Sequence, residues 1–226
     1  MNSQEIEIVA IESDPFGEMS YVVWLKGRSD AFVIDPGFDA QSILQTLQSN
    51  GLRLAAILNT HGHVDHIAGN GAMKAEFPEA PLVIGRNEAH LLTDPQANLS
   101  GLYGFPIVSP EADRLLDEGE RVEFAGIEME VREIPGHSPG SIVLVCDRFE
   151  PVIVFGGDVL FLGSVGRTDL GGNAPLLFSG IRSKLFNLPG DTRVLPGHGP
   201  ETTVAAERRS NPFVGDQAGL HGIGRS

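Results

Sequence analysis

Apolar and polar positions alternate from Glu5 to Glu12, with Ile6, Ile8 and Ala10 set against Glu5, Glu7 and Glu12. A period of two predicts a half-exposed edge strand. Tyr21 to Leu25 and Ala31 to Ile34 are the next apolar runs, joined hairpin-fashion through Lys26-Gly27-Arg28-Ser29-Asp30. The spacing then changes. Ile43, Leu44 and Leu47 recur at helical intervals behind Asp39, a residue suited to capping, and Asn50-Gly51 stops the helix near Ser49. Leu54 to Leu58 is a short unbroken apolar run and predicts a buried strand. Asn70 to Phe77 predicts a helix ended by Pro78, Leu82 to Ile84 a strand, and Arg86 to Leu92 a helical turn. Glu120 to Phe124 and Ile127 to Ile134 form a hairpin about Ala125-Gly126, and Ser141 to Val145 pairs with Val152 to Phe155. A glycine-rich loop, Gly163 to Gly172, precedes a helix over Pro175 to Leu185, a strand at Arg193 to Leu195 and a helix over Thr202 to Arg209. Strands and helices thus alternate in two halves without a linker, which gives one α/β domain. The domain is drawn as 1–214, and the glycine-rich stretch 215–226 is expected to be a flexible tail.

Between these elements lies an unusual loop. Thr60-His61-Gly62-His63-Val64-Asp65-His66 follows the buried strand and presents three imidazoles and a carboxylate within seven residues. Nitrogen donors beside a hard oxygen donor suit a divalent transition metal such as zinc, iron or manganese. A single tetrahedral ion does not accommodate all four from so tight a loop. In an extended loop side chains alternate, so His61 and His63 share one side while Asp65 and His66 diverge, a geometry that suggests two adjacent ions. Of the seven histidines, two more sit in matching turns, Pro135-Gly136-His137 and Pro196-Gly197-His198, each after an apolar run. Asp158 follows the run Val152 to Phe155 in the same way. Asp35-Pro36-Gly37 either closes a strand as a capping turn or supplies an acceptor that orients a ligand imidazole. His90, among Leu91 and Leu92, reads as a structural or surface residue, and His221 as incidental.

The series His61-x-His63-x-Asp65-His66, then His137, Asp158 and His198, resembles the ligand set of the metallo-β-lactamase fold. Within that superfamily the chain is most similar to single-domain glyoxalase II-like (hydroxyacylglutathione hydrolase-like) enzymes, from Asp35-Pro36-Gly37 to Asn211-Pro212-Phe213. The resemblance implies a four-layer αββα sandwich. It implies that His61, His63 and His137 hold one divalent ion, that Asp65, His66 and His198 hold a second, and that Asp158 bridges them. Zinc is the expected metal, with iron or manganese also suited. It further implies hydrolysis of a small-molecule thioester, S-D-lactoylglutathione being the type substrate, with Asp65 and Asp158 as catalytic carboxylates. Two-domain glyoxalase II enzymes carry a C-terminal helical domain with basic residues; here only a short helix and Asn211-Pro212-Phe213 follow His198. Arg167 stands where those enzymes have a lysine, and Asp169 and Pro200 where they have tyrosines. Arg167, Thr168, Asp169 and Phe213 are the expected substrate contacts.

Composition narrows the field. A formal net charge of −14, with basic residues scattered apart from Arg208-Arg209, disfavours a nucleic-acid partner. No apolar stretch approaches a membrane span, and Met1-Asn2-Ser3-Gln4-Glu5 lacks the basic start and apolar core of a signal peptide. The single cysteine, Cys146, excludes an internal disulfide and reads as a small core residue, compatible with a reducing cytosol and a cytoplasmic setting. Thr93 to Pro110 punctuates exposed apolar residues with Pro, Gly, Asn and Ser, and reads as a lid or wall of a cleft or as a packed loop. Rival functions are a mononuclear-iron persulfide dioxygenase, which shares the fold and a Gly-Arg-Thr-Asp loop, then a β-lactamase, and last a non-enzymatic binding module.

Overall fold

The computed structural model describes residues 5–218; Met1–Gln4 and 219–226, with His221, lie outside the described residues. The first sheet holds β1 (Ile6–Ser13), β2 (Glu18–Leu25), β3 (Asp30–Ile34), β4 (Arg53–Asn59), β5 (Leu82–Gly85) and β6 (Arg114–Leu116), in that spatial order. The second is built from β7 (Arg121–Phe124), β8 (Ile127–Glu133), β9 (Ile142–Cys146) and β10 (Ile153–Gly157), while β11 (Leu160–Phe161) and β12 (Ser164–Val165) form a separate small hairpin. β13 (Arg193–Pro196) and β14 (Thr202–Thr203) complete it, giving the order β14-β13-β10-β9-β8-β7.

Period-two alternation assigns each face. Phe32, Ile34 and Leu58 point inward and pack against Met129, Leu144, Phe155 and Leu195 of the facing sheet. Their neighbours Ala31, Val33 and Ile57 point outward to helix α1 (Ala40–Ser49), α2 (Val64–Ile67) and α3 (Asn70–Glu76), through Ile43, Leu47, Ile67 and Met73. Val143, Val145, Val154 and Val194 do the same on the far face, against Leu177 of α4 (Ala174–Gly180), Ile181 and Leu185 beyond it, and Val204 of α5 (Val204–Ser210). Helix, sheet, sheet, helix is the four-layer arrangement. Cys146 lies in the inter-sheet core, where burial pushes its thiol pKa up.

Strand direction decides where the loops converge. β3, β4, β5 and β6 run parallel. β8 and β10 are both antiparallel to β9, and β10 is parallel to β13, so β8, β10 and β13 also share one direction. Every segment carrying a candidate ligand therefore follows the C-terminal end of one of these strands. Cross-sheet hydrogen bonds from Ile142 N to Thr60 O and from Met19 N to Gly197 O lock the two edges together.

Several expectations are corrected. β6 was hidden by its brevity and by Arg114, which is exposed. The helix over Pro175 to Leu185 changes to wider π-type winding at Ile181–Leu185. Thr202–Thr203 is a strand pairing with Arg193 and Val194 before α5 begins. The first residues of the expected tail are held beside buried Val214: Gly215 N donates to Asn211 O, and Asp216 N donates to Arg208 O. The segment from Thr93 to Pro110 is an anchored wall along part of its length, since Val64 N donates to Asn98 O and Ser109 N to Leu92 O. Its tip, Leu102 to Phe105, is exposed.

Candidate metal centre

The histidine-rich loop is not extended throughout. His63 has extended dihedrals (φ −69°, ψ 151°) and then α2 starts, with His66 N donating to His63 O. Strand geometry sends His61 and His63 one way; the helical turn, not continued alternation, rotates Asp65 and His66 another.

One group of donors comprises His61, His63 and His137, whose nitrogens all lie within 4.8 Å of one another. His137 Nε2 is 2.9 Å from His63 Nδ1 and 3.3 Å from His61 Nε2. Metal–nitrogen bonds of about 2.0–2.1 Å in a tetrahedron put the nitrogens about 3.3 Å apart. The remote ring nitrogens fix the tautomers. His137 Nδ1 donates to Arg167 O at 2.9 Å, leaving the Nε2 lone pair free to point inward. His61 Nδ1 lies 3.1 Å from Thr60 Oγ1, whose own proton goes to Asp35 Oδ2 at 2.6 Å. Burial first, then the neighbouring His137, holds the His63 pKa down at about 3, so this ring is a neutral donor.

The second group is Asp65, His66 and His198. Asp65 Oδ2 lies 3.2 Å from His198 Nε2 and 3.9 Å from His66 Nε2. Asp158 stands between the groups, with Oδ1 3.4 Å from His66 Nε2 and Oδ2 3.3 Å from His137 Nε2 and 3.5 Å from His198 Nε2. His61, His66 and Asp35 also fall within 4.8 Å of one another. Asp35 is nevertheless an orienting residue: Thr60 N donates to Oδ1, while Thr60 Oγ1 and His66 Nδ1 take up Oδ2. Of the two roles open to it from sequence, the contacts match the acceptor.

Two features fit these residues to cations. His66 Nε2 and Asp158 Oδ1 are buried without a hydrogen-bond partner, both aimed into the centre, a costly arrangement unless something binds there. Burial alone would push His66 down, but Asp158, Asp65 and Asp35 outweigh it and hold its pKa well above the usual histidine value. Burial would likewise raise Asp158 and Asp65, and the surrounding imidazoles, His66 foremost, hold both carboxyls low. Around His66 the centre thus favours positive charge among ionised carboxylates, while His61 and His63 are held neutral. Gly197 is required by space: a Cβ there would sit 2.3 Å from Asp158 Oδ1 and 2.6 Å from His66 Cε1.

The donors floor a cleft of about 290 Å³, walled by Phe16, Leu99, Tyr103, Phe161 and Leu170. Phe16 packs on Tyr103 and Phe38, and Phe38 on Phe105, so three chain segments contribute aromatic rings to one rim. Arg167 lines the cleft, its guanidinium paired twice with Asp169 at 2.8 Å. Thr168 and Asp169 do not line it, and Phe213 packs near Phe178 away from it. Sequence reading placed Leu99 and Tyr103 in a segment expected to be a lid or wall, and both line the cleft; it gave no site role to Phe16 or Thr60.

Two facing mixed sheets between helices, with a histidine–aspartate centre at their shared edge, define a class of metal-dependent enzymes. The Metallo-beta-lactamase superfamily profile matches residues 13–198, and the chain belongs to that superfamily. It is 39% identical to the probable metallo-hydrolase YqgX of Bacillus subtilis, over 84% of this chain and 90% of that protein. It is 34% identical to the hydroxyacylglutathione hydrolase GloC of Haemophilus influenzae, over 94% of this chain and 99% of that one. Among solved structures, the BLEG-1 B3 metallo-beta-lactamase superposes with TM-score 0.87 at 37% identity, covering 92% of this chain and 99% of the other. TTHA1623 in a di-iron-bound form gives 0.79 at 36%, covering 91% and 99%, and ETHE1 from Myxococcus xanthus 0.74 at 27%, covering 92% and 84%.

Proposed function

We propose that the chain is a dinuclear metal-dependent hydrolase of small-molecule thioesters, of the hydroxyacylglutathione hydrolase type. The observation that carries this reading is the pair of donor triads with Asp158 between them, His66 Nε2 and Asp158 Oδ1 both being buried and unpartnered. His61, His63 and His137 would hold one divalent ion and Asp65, His66 and His198 the other, zinc being the first candidate and iron or manganese alternatives. Such ions, when bound, supply Lewis acidity that activates water and polarises a carbonyl.

The chain's own residues do the rest. Asp65, ionised and lining the cleft, accepts the proton of the attacking water, and Asp158 fixes its direction of approach. Among the described residues every imidazole lining the cleft belongs to the donor series, and besides the Tyr103 hydroxyl at the mouth the lining offers no further group suited to protonating an amine. A thiolate departs as an anion and needs none, which favours a thioester over an amide. The likeness to GloC supports the same choice.

A second reading, oxidation of a persulfide at a single iron, is favoured by the Arg167-Thr168-Asp169 loop and fits the ETHE1 neighbour. The discriminating experiment offers the purified, metal-loaded protein S-D-lactoylglutathione, glutathione persulfide with oxygen, and a β-lactam. The expected result is release of free thiol from the first alone. Sulfite formation with oxygen uptake, or β-lactam opening at a comparable rate, overturns the reading.

A further inference from the structure

Glutamate is seldom fully buried without a purpose, yet Glu88 has no exposed surface. It sits in the 3₁₀ helix Arg86–Leu92, outside both donor triads. Its carboxylate reaches two loops at once. Oε2 accepts from Gly62 N at 2.9 Å, the peptide between His61 and His63. Oε1 accepts from Ser138 Oγ at 2.7 Å and Gly140 N at 2.5 Å, immediately beyond His137. The same 3₁₀ helix presses on both loops sterically: a Cβ on Gly62 would lie 2.4 Å from Leu91 Cβ, and one on Gly140 2.4 Å from Asn87 Cβ. His61/His63 and His137 come from different sheets, and no covalent link nearby sets their spacing.

We infer that Glu88 is the positioning residue that holds the His61–Gly62–His63 loop and the His137–Gly140 loop at the spacing a metal ion requires. All three partners are donors, and an ionised carboxylate is the one common side chain of this length that offers acceptors only. A glutamine of the same shape turns an NH₂ towards at least one N–H or O–H donor, so it breaks the link to one loop while filling the same volume. The consequence falls on one triad. Asp65, His66 and His198 are set by α2, Asp35 and the Gly197 turn, and the side-chain hydrogen bonds of Glu88 go to none of these.

This rests on the two-ion reading of the centre but not on the substrate. The test titrates Co²⁺ into the metal-free full-length protein against a chromophoric chelator, with His63→Ala and His198→Ala marking which binding step belongs to which triad. Loss of an outer partner of metal ligands costs about 10- to 100-fold in affinity. Glu88→Gln is expected to weaken the His61/His63/His137 step by that factor, leave the other step within threefold, and leave the melting temperature of the metal-free protein within about 4 °C. Ser138→Ala, which removes one bond of three, is expected to weaken the same step less, and it carries the test if Glu88→Gln does not fold. Unchanged affinity at that step in the folded variants, or equal weakening of both steps with a lower melting temperature, overturns the inference. Wild-type protein that binds one ion overturns the two-ion reading instead.

Discussion

Asp35 holds His66 from behind, with its Oδ2 3.0 Å from the ring Nδ1 and both side chains buried. The same carboxylate receives Thr60 N and Thr60 Oγ1, and Thr60 Oγ1 faces His61 Nδ1. One residue thereby sets a ring from each triad. It does so from a left-handed backbone (φ 48°), a conformation that aspartate tolerates better than most residues.

Asp35→Asn replaces one acceptor oxygen with an NH₂ group that faces either Thr60 N or both Thr60 Oγ1 and His66 Nδ1. Affinity at the His66 triad is expected to fall about 10- to 100-fold with an unchanged far-ultraviolet dichroism spectrum. Competition with a chelator measures it; wild-type retention of both ions in the variant would remove the orienting role.

Gly197→Ala places a methyl group 2.3 Å from Asp158 Oδ1 and 2.6 Å from His66 Cε1, so one or both must shift. The variant is expected to fold, because the intrusion is at the loop rather than in the core, and to lose at least about tenfold in kcat, as small misplacements at a reacting centre do. Steady-state kinetics at saturating metal tests this, and an unaltered kcat would show that the centre gives way freely.

Tyr103 and Phe105 are exposed at the rim, 45% and 40%, where they can cover the non-reacting part of a substrate. An aromatic contact is worth about 0.5–1.5 kcal/mol. Tyr103→Ala is accordingly expected to raise KM for a thioester about two- to tenfold with kcat nearly constant. A fall in kcat at constant KM would instead make the phenol a participant in the chemistry.

Much of this was legible before any coordinates. The donor residues stand in short, recognisable turns after apolar runs, and strand ends are where a parallel arrangement delivers its loops. The unbroken apolar runs of β3 and β4 also announced strands buried on both faces. What stayed hidden depends on contacts distant in sequence. Glu88 looks like any charged residue of a helical turn until Gly62 and Gly140 close on it, and Asp35 reads equally as a cap. The aromatic rim assembles from Phe16, Phe38, Tyr103 and Phe105 across three segments without any shared motif. Phe213 packs near Phe178, a contact between residues far apart in sequence.

Asp113 gives a pH signature remote from the centre. Its carboxylate accepts from Leu82 N and Lys74 Nζ, the backbone bond being the larger cause of its lowered pKa. A carboxyl held below its unfolded value of about 3.9 adds stability above that pH and loses it as pH falls through the folded value. Asp113→Asn is therefore expected to melt below wild type at pH 7 and to converge with it as the pH falls through the lowered folded value. Parallel melting curves across that window would contradict the assignment.

Metal content of the purified chain, measured alongside thioester hydrolysis in wild type and His198→Ala, tests the central claim most directly. The expected result is close to two divalent ions per wild-type chain, and about one in the variant with hydrolysis reduced at least about 100-fold. One ion per fully active wild-type chain, or a full rate in His198→Ala, would contradict it.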